Sequence, residues 1–298
     1  MMARLSGLLP VFFCGLLGLL VACSRPAARQ GPVKVVTTLG VLADWARNVG
    51  DGRVQVRSLL TGLEGEHTYE PRPSDLKLIA GADILFRVGL GLEDWLDPVI
   101  QNVNNPRLAT VDAAQGVQVI RDGRSAGNAP GNPHIWLDPE DAKIGIENLV
   151  RQLIRMDPGG ETLYRSRQQA YYRRLDSLTR AITAEVSALP DRRFISFHPA
   201  WPYFARRFGF EVVASIEPIP GQEPSARRIA ELADLIRQQH IKVICSEPQL
   251  PSDVPNTLAR EAGARVIILS PLTDGVPETG DYVSLIGYNA RTIIGALR

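Results

Sequence analysis

Cysteine is scarce in this chain. Cys14 and Cys23 belong to its first 23 residues, and only Cys245 remains, in the apolar run Val243-Ile244-Cys245. A lone thiol forms no internal disulfide, so the fold has to rest on its core, and Cys245 reads as a small buried apolar residue. Lysine is almost as rare, at positions 34, 77, 143 and 242 only; arginine carries the rest of the positive charge, which we read as a coding bias. Neither sign of charge dominates, with 33 basic and 32 acidic side chains. The absence of a basic stripe interleaved with aromatics argues against a nucleic-acid partner. No Gly-x-x-x-x-Gly-Lys-Ser/Thr loop occurs, so this chain is not expected to hydrolyse nucleotide. Gly89-Leu90-Gly91-Leu92-Glu93-Asp94 lacks the last glycine of a dinucleotide fingerprint and reads as a strand-to-helix turn. His-Glu-x-x-His, Cys-x-x-Cys, internal repeats and low-complexity tracts are missing as well.

Long hydrophobic runs are missing too. A spanning helix needs ~20 apolar residues, and the longest run, Leu8 to Val21, falls short and holds Pro10 and several glycines. It follows Arg4 and ends in Leu20-Val21-Ala22-Cys23. That order predicts a lipoprotein signal peptide over residues 1–22, cleaved before Cys23, whose thiol takes the lipid. The alternative is an ordinary secretory leader with an incidental cysteine. On the lipoprotein reading the protein is exported and lipid-anchored at the bacterial membrane, in the periplasm or on the outer face of the cell membrane, without crossing it. Residues 23–32 form the tether. Arg4 is the only charged residue of the leader, so the mature chain has no net charge with histidine neutral. Its length, about 275 residues, exceeds one typical core and predicts two lobes.

Short apolar strands alternate with amphipathic helices. Strands are expected at Val35–Thr38, Val54–Leu60 and Asp83–Val88, with helices at Val41–Val49 and Pro73–Ala80. The composition of residues 121–133 predicts a mobile loop. Asp138-Pro139-Glu140-Asp141 starts a helix well: Asp caps, Pro suits the first position, and the acids face the positive end of the dipole. After a break at Asp157-Pro158-Gly159-Gly160, Tyr171, Leu175, Leu178, Ile182 and Val186 keep helical spacing within the stretch Glu161–Leu189. This is the candidate connector of the lobes, its alternative being a core helix of one lobe. The second half repeats the alternation, with strands at Arg193–Phe197, Phe210–Ala214, Lys242–Ser246 and Arg265–Leu269. Helices are expected around Pro199–Phe208, Ser225–Gln239, Asp253–Gly263 and Asp281–Leu297. The pattern predicts βαβ units: an α/β fold of two similar lobes with mostly parallel central sheets. An N-terminal lobe would cover 33–160, a linker helix 161–189 and a C-terminal lobe 190–298.

Of four histidines, His67, His134 and His198 sit in loops about 65 residues apart, each beside a proline-bearing turn, and Asp274 follows in Leu272-Thr273-Asp274-Gly275. His67, His198 and Asp274 lie beyond the C-terminal ends of expected strands, where open α/β sheets bind ligands. Two of the four belong to each half, which places the site in a cleft between lobes. Three imidazoles and a carboxylate fill a tetrahedral, zinc-like shell with no position left for a substrate. Taken singly, each has a plainer reading, as a solvated loop histidine or a turn aspartate. His240, at a helix C-terminus, reads as structural. Glu64, Glu66 and Glu70 around His67 read as a solvated rim that draws cations toward the cleft.

At these residues the chain resembles the zinc/manganese solute-binding proteins of ABC importers, the cluster A-I or TroA-like group. The resemblance rests on four stretches, in order: His67-Thr68-Tyr69-Glu70-Pro71-Arg72-Pro73-Ser74-Asp75; Pro133-His134-Ile135-Trp136-Leu137-Asp138-Pro139; Phe197-His198-Pro199-Ala200-Trp201-Pro202-Tyr203-Phe204-Ala205; and Leu272-Thr273-Asp274-Gly275. It implies that His67, His134, His198 and Asp274 are metal ligands, and that one long rigid helix joins the lobes and permits only modest closure. It also implies an extracytoplasmic receptor that hands its metal to a membrane permease with its own ATPase subunit, as a monomer. Manganese-selective members commonly carry glutamate at the third ligand; His198 there leans toward Zn2+, with Mn2+ the other candidate. The long His- and acid-rich loop of many zinc importers is not matched, since 121–133 has no histidine and one acid, Asp122.

Two other classes compete. A zinc-dependent hydrolase would need an open coordination position and a general base, for which Glu70 is the candidate. A surface adhesin lipoprotein with bound metal would bind a partner protein independently of that metal. The receptor reading is not an enzyme.

Overall fold

The computed structural model describes residues 31–121, 131–219 and 221–298. The leader, the lipid attachment at Cys23, most of the tether and residues 122–130 of the expected mobile loop lie outside them. Among the described residues, no helix is long and apolar enough to cross a membrane.

The first sheet is built from β1 (Val33–Thr37), β2 (Val54–Ser58), β3 (Ile84–Arg87) and β4 (Ala109–Asp112), all parallel, in the order β2-β1-β3-β4. Helices α1 (Gly40–Gly50), α2 (Pro73–Ala80) and α3 (Leu96–Asn102) belong to this half. In β1, Val33, Val35, Val36 and Thr37 are all buried, which is what a parallel strand covered on both faces requires. Two helices follow: α4 (Pro139–Met156), capped by Asp138 accepting from the Glu140 N–H, and α5 (Glu161–Ser187). At 1.5 Å per residue α5 is ~40 Å long; Tyr164, Tyr171, Leu175, Ile182 and Val186 mark its buried face.

The second sheet repeats the first. Its strands are β5 (Arg193–Ser196), β6 (Glu211–Ser215), β7 (Val243–Ser246) and β8 (Arg265–Ile268), parallel, in the order β6-β5-β7-β8. Its helices are α6 (Pro202–Phe208), α7 (Ala226–Gln239), α8 (Asp253–Ala262) and α9 (Tyr282–Leu297). His240 terminates α7 in the left-handed region, at φ 54°.

Two elements escape the sequence pattern. Strand β4 has four residues with only Val111 buried, and α3 has seven and contains Pro98. Neither buries enough apolar residues to show a run or a face, β4 only Val111 and α3 only Leu96 and Val99. Helix α6 also starts three residues later than expected, because Pro199, Ala200 and Trp201 turn the chain first, with the Ala200 N–H donating to the His198 carbonyl.

The two sheets do not have two separate cores. One apolar cluster joins Trp45, Phe86 and Trp136 to Leu175, Phe204 and Tyr282, so α4, α5 and α9 are packed into both halves. A smaller cluster, including Ile195, Leu232, Ile244 and Leu258, lies under α7 and α8. The segment ahead of α4 is fixed most firmly. Trp136 Nε1 donates to the Pro271 carbonyl at 2.7 Å, Tyr282 Oη donates to the Trp136 carbonyl at 2.6 Å, and Asp138 is paired with Arg206 and Arg207 of α6. Residues 132–138, although they precede α4 in the chain, are therefore fastened to the second half.

Candidate metal centre

Each imidazole arrives from a different loop. His67 sits between β2 and α2, in a loop whose far end is set by Asp75: its Oδ2 accepts from Tyr69 Oη at 2.7 Å and from the Arg72 N–H at 2.8 Å. His134 precedes the short 3-10 turn Ile135–Leu137 and α4. His198 lies just beyond the C-terminal end of β5. The fold brings the three together: Nε2 of His134 is 3.2 Å from Nε2 of His67 and 3.2 Å from Nε2 of His198. Glu66 completes the group, with Oε1 at 3.5 Å from His134 Nε2 and 3.7 Å from His198 Nε2. One donor atom from each of the four lies within 4.8 Å of all the others, and no second such group occurs among the described residues.

These distances have a direct reading. Donors about 2.0–2.1 Å from a tetrahedral centre stand roughly 3.3–3.4 Å from one another. Four of the six separations, 3.2 to 3.7 Å, are close to the edges of such a shell, and the other two are within 4.8 Å. Glu66 is buried, and its Oε1 has no hydrogen-bond donor. A buried carboxylate oxygen without a donor is costly unless a cation meets it. The donor set thus fits a divalent ion.

Outer contacts aim the rings. His134 Nδ1 faces Asn132 Oδ1 at 2.9 Å. His198 Nδ1 is 2.8 Å from Oε1 of Glu247, which is fully enclosed at the end of β7 and accepts from Trp201 Nε1 at 3.1 Å and Gln249 Nε2 at 2.9 Å. Carboxylates and amides behind metal-binding imidazoles fix ring orientation and raise basicity.

The three rings titrate very differently. Burial, then the neighbouring His134, lowers His67 to about 3. Burial, reinforced by His198, lowers His134 to about 4. Burial also opposes charge on His198, but Glu247, Glu66 and Glu217 together outweigh it and push that ring up to about 9. Burial likewise opposes ionisation of Glu66, yet the surrounding imidazoles hold it down at about 2. The carboxylates, Glu247 first and Glu66 after it, thus favour a proton on His198, whereas burial favours the neutral form of the other two rings. A cleft of about 310 Å³ leads out past Thr68, Glu217, Glu223 and Gln249, and its acids favour approaching cations.

The fourth expected ligand, Asp274, is not in this group. It is exposed, with its backbone in the left-handed region (φ 63°) and its N–H donating to the Thr279 carbonyl. Two loops meet beside it: Gly62 (φ 106°) lets the His67 loop approach the Thr273 carbonyl, where a Cβ would fall 2.0 Å from that oxygen. Glu66 departs from expectation in the opposite direction. It does not belong to a solvated rim, whereas Glu70 is exposed. Only its adjacency to His67 signalled it, and an irregular loop has no period from which to read direction. Glu247 went unnoticed, although a charged residue directly following an apolar strand, as His198 nearly does, was the available sign.

The family model described as ZnuA, zinc-uptake complex component A, periplasmic, matches residues 35–296. The zinc-binding protein TroA of Treponema pallidum is 28% identical, over 92% of this chain and 92% of its own length. A solved structure of that protein superposes with a TM-score of 0.79 at 27% identity, covering 90% of this chain and 99% of the other. The iron-binding protein YfeA of Yersinia pestis is 28% identical over 92% of this chain and 89% of its own. FpvC of Pseudomonas aeruginosa, solved in complex with Mn2+, has a TM-score of 0.79 at 28% identity, covering 89% and 98%. The matched span takes in both sheets, the long helix and all three converging histidines, and the chain belongs to the ZnuA family of metal-binding receptors of ABC importers.

Proposed function

We propose that the chain captures Zn2+ outside the cytoplasm and delivers it to a membrane permease driven by a separate ATPase subunit. His67, His134, His198 and Glu66 would hold the ion. The observation that carries this reading is the convergence of three imidazoles and one buried carboxylate oxygen within 4.8 Å of one another. Imidazole-rich tetrahedral sites suit zinc better than manganese, which prefers more oxygen donors and octahedral geometry. Four donors leave no open position of the kind a catalytic zinc keeps, which weighs against hydrolysis. The lobes would divide at 33–160, 161–189 and 190–298. Because His134 and His198 are both fastened to the second half, capture and release would turn on movement of the 61–69 loop that carries Glu66 and His67.

One titration tests the capture step. Metal-free protein exposed to equimolar zinc and manganese should retain one zinc per chain and little manganese, measured by elemental analysis. Substantial manganese would reassign the cargo, and no stoichiometric metal would remove the reading. The same binding followed by calorimetry at pH 7.5, in buffers of different ionisation enthalpy, should release about one proton per zinc. The sign follows from His198: raised to about 9, it carries a proton that zinc must displace, while His67 and His134 are already neutral. Affinity should then rise about tenfold per pH unit from pH 6 to 8. Release of three protons would mean that all three rings are cationic when empty.

Attachment through a lipid on Cys23 would keep the receptor, as a monomer, beside its permease. Cys23→Ser should move the protein from the membrane to the soluble fraction. Retention in the membrane with the leader removed would exclude this anchor.

A further inference from the structure

We infer that Asn132 is a positioning residue that sets the tautomer of His134 and ties the second ligand loop to the third. The inference rests on the metal-capture reading above but is argued from the hydrogen bonds alone. Asn132 is 5% exposed and sits in a closed set of contacts. Its Nδ2 donates to the Pro199 carbonyl at 2.6 Å, and its Oδ1 accepts from the His134 backbone N–H at 3.0 Å. A carbonyl needs a donor and an N–H needs an acceptor, so these two partners fix which way round the amide lies. Its own backbone is fixed as well, the N–H donating to the Ile120 carbonyl at 2.9 Å and the carbonyl accepting from Tyr203 Oη at 2.8 Å.

With the amide fixed, the ring has no choice. Nδ1 of His134 lies 2.9 Å from Oδ1, an atom that can only accept, so Nδ1 carries the hydrogen. The lone pair of Nε2 then points at His67, His198 and Glu66, where a metal would be met. In the other tautomer, Nε2 would carry a hydrogen into that space and Nδ1 would set a lone pair against Oδ1. Asn132 also reaches Pro199, the residue after His198, so a single amide registers two ligand loops from the two halves. Aspartate here could still accept from Nδ1–H and from the His134 N–H, but its second oxygen would oppose the Pro199 carbonyl. That difference separates orientation of the ring from the tie between loops.

The test uses 15N-labelled protein with the substitutions Asn132→Ala and Asn132→Asp. Long-range 1H–15N spectra of the metal-free protein at pH 7.5 read the imidazole tautomers, and chelator competition reads zinc affinity. The wild type should show His134 protonated at Nδ1 and bare at Nε2. Asn132→Ala should lose this single tautomer and bind zinc about 10- to 100-fold more weakly, the usual range for a group behind a ligand. Asn132→Asp should keep the tautomer and lose less zinc affinity than Asn132→Ala, the remaining loss being that of the tie to Pro199. The assignment fails if Asn132→Ala leaves tautomer and affinity unchanged, or if Asn132→Asp falls as far as Asn132→Ala, since a purely structural role would respond to both. A wild type that takes up no zinc, with the ring still responding as described, would count against metal capture while supporting the assignment of Asn132 to the ring.

Discussion

His134→Ala is expected to weaken zinc binding by about 100-fold or more while leaving the metal-free fold intact. His134 is the hub of the cluster, with its Nε2 3.2 Å from both other imidazoles and 3.5 Å from Glu66. Four-ligand zinc sites supply roughly 10–16 kcal/mol at neutral pH. An even share is about 3 kcal/mol per ligand, or somewhat more than 100-fold in affinity. The fold should survive because the segment does not hang on the imidazole: Trp136 still reaches the Pro271 carbonyl, Tyr282 still holds the Trp136 carbonyl, and Asp138 still pairs with Arg206 and Arg207. Chelator competition would give the affinity, and urea denaturation of the metal-free variant would give the stability. Zinc affinity within about threefold of wild type would remove His134 from the shell. Loss of cooperative unfolding would show that the ring is structural first.

Legibility in the sequence followed the physics of each element. Strands such as Val33–Thr37 and Val243–Ser246 are mostly apolar and almost wholly buried, as parallel strands covered on both faces are, so the two-sheet architecture could be read directly. Helix α5 was equally plain, since a long helix repeats its buried face many times. Strand β4 and α3 were not: Ala109–Asp112 buries only Val111, and Leu96–Asn102 buries only Leu96 and Val99 around Pro98, so neither presents an apolar run or face. At the site, His67, His134 and His198 were named on chemistry and resemblance, and the structure places them together. The carboxylate is where expectation and geometry differ: Asp274 was expected, and Glu66 stands with the imidazoles. Glu66 and Asp274 both lie in irregular loops, where side-chain direction is set by tertiary contacts and not by any local period. The partners behind the rings, Asn132 and Glu247, are equally a matter of tertiary contact: Asn132 meets Pro199 across 67 positions, and Glu247 meets Trp201 across 46.

The choice between those carboxylates yields the other large effect. Glu66→Gln should lower zinc affinity by about 100-fold, a ligand's share of the site, whereas Asp274→Asn should change it by less than about threefold, in keeping with an exposed turn residue. Glutamine keeps the shape of Glu66 but removes the charge, and its buried amide would face His134 and His198 where the unpartnered Oε1 now stands. The proton balance offers an independent check. Glu66 helps to hold His198 protonated, so in Glu66→Gln fewer than one proton per zinc should be released at pH 7.5. The opposite result, a large loss in Asp274→Asn and a small one in Glu66→Gln, would mean that the 272–275 loop turns on binding and brings Asp274 into the shell in place of Glu66. That would reinstate the four ligands implied by the family resemblance, and it would make the contact between Gly62 and Thr273 the latch that separates the empty receptor from the loaded one.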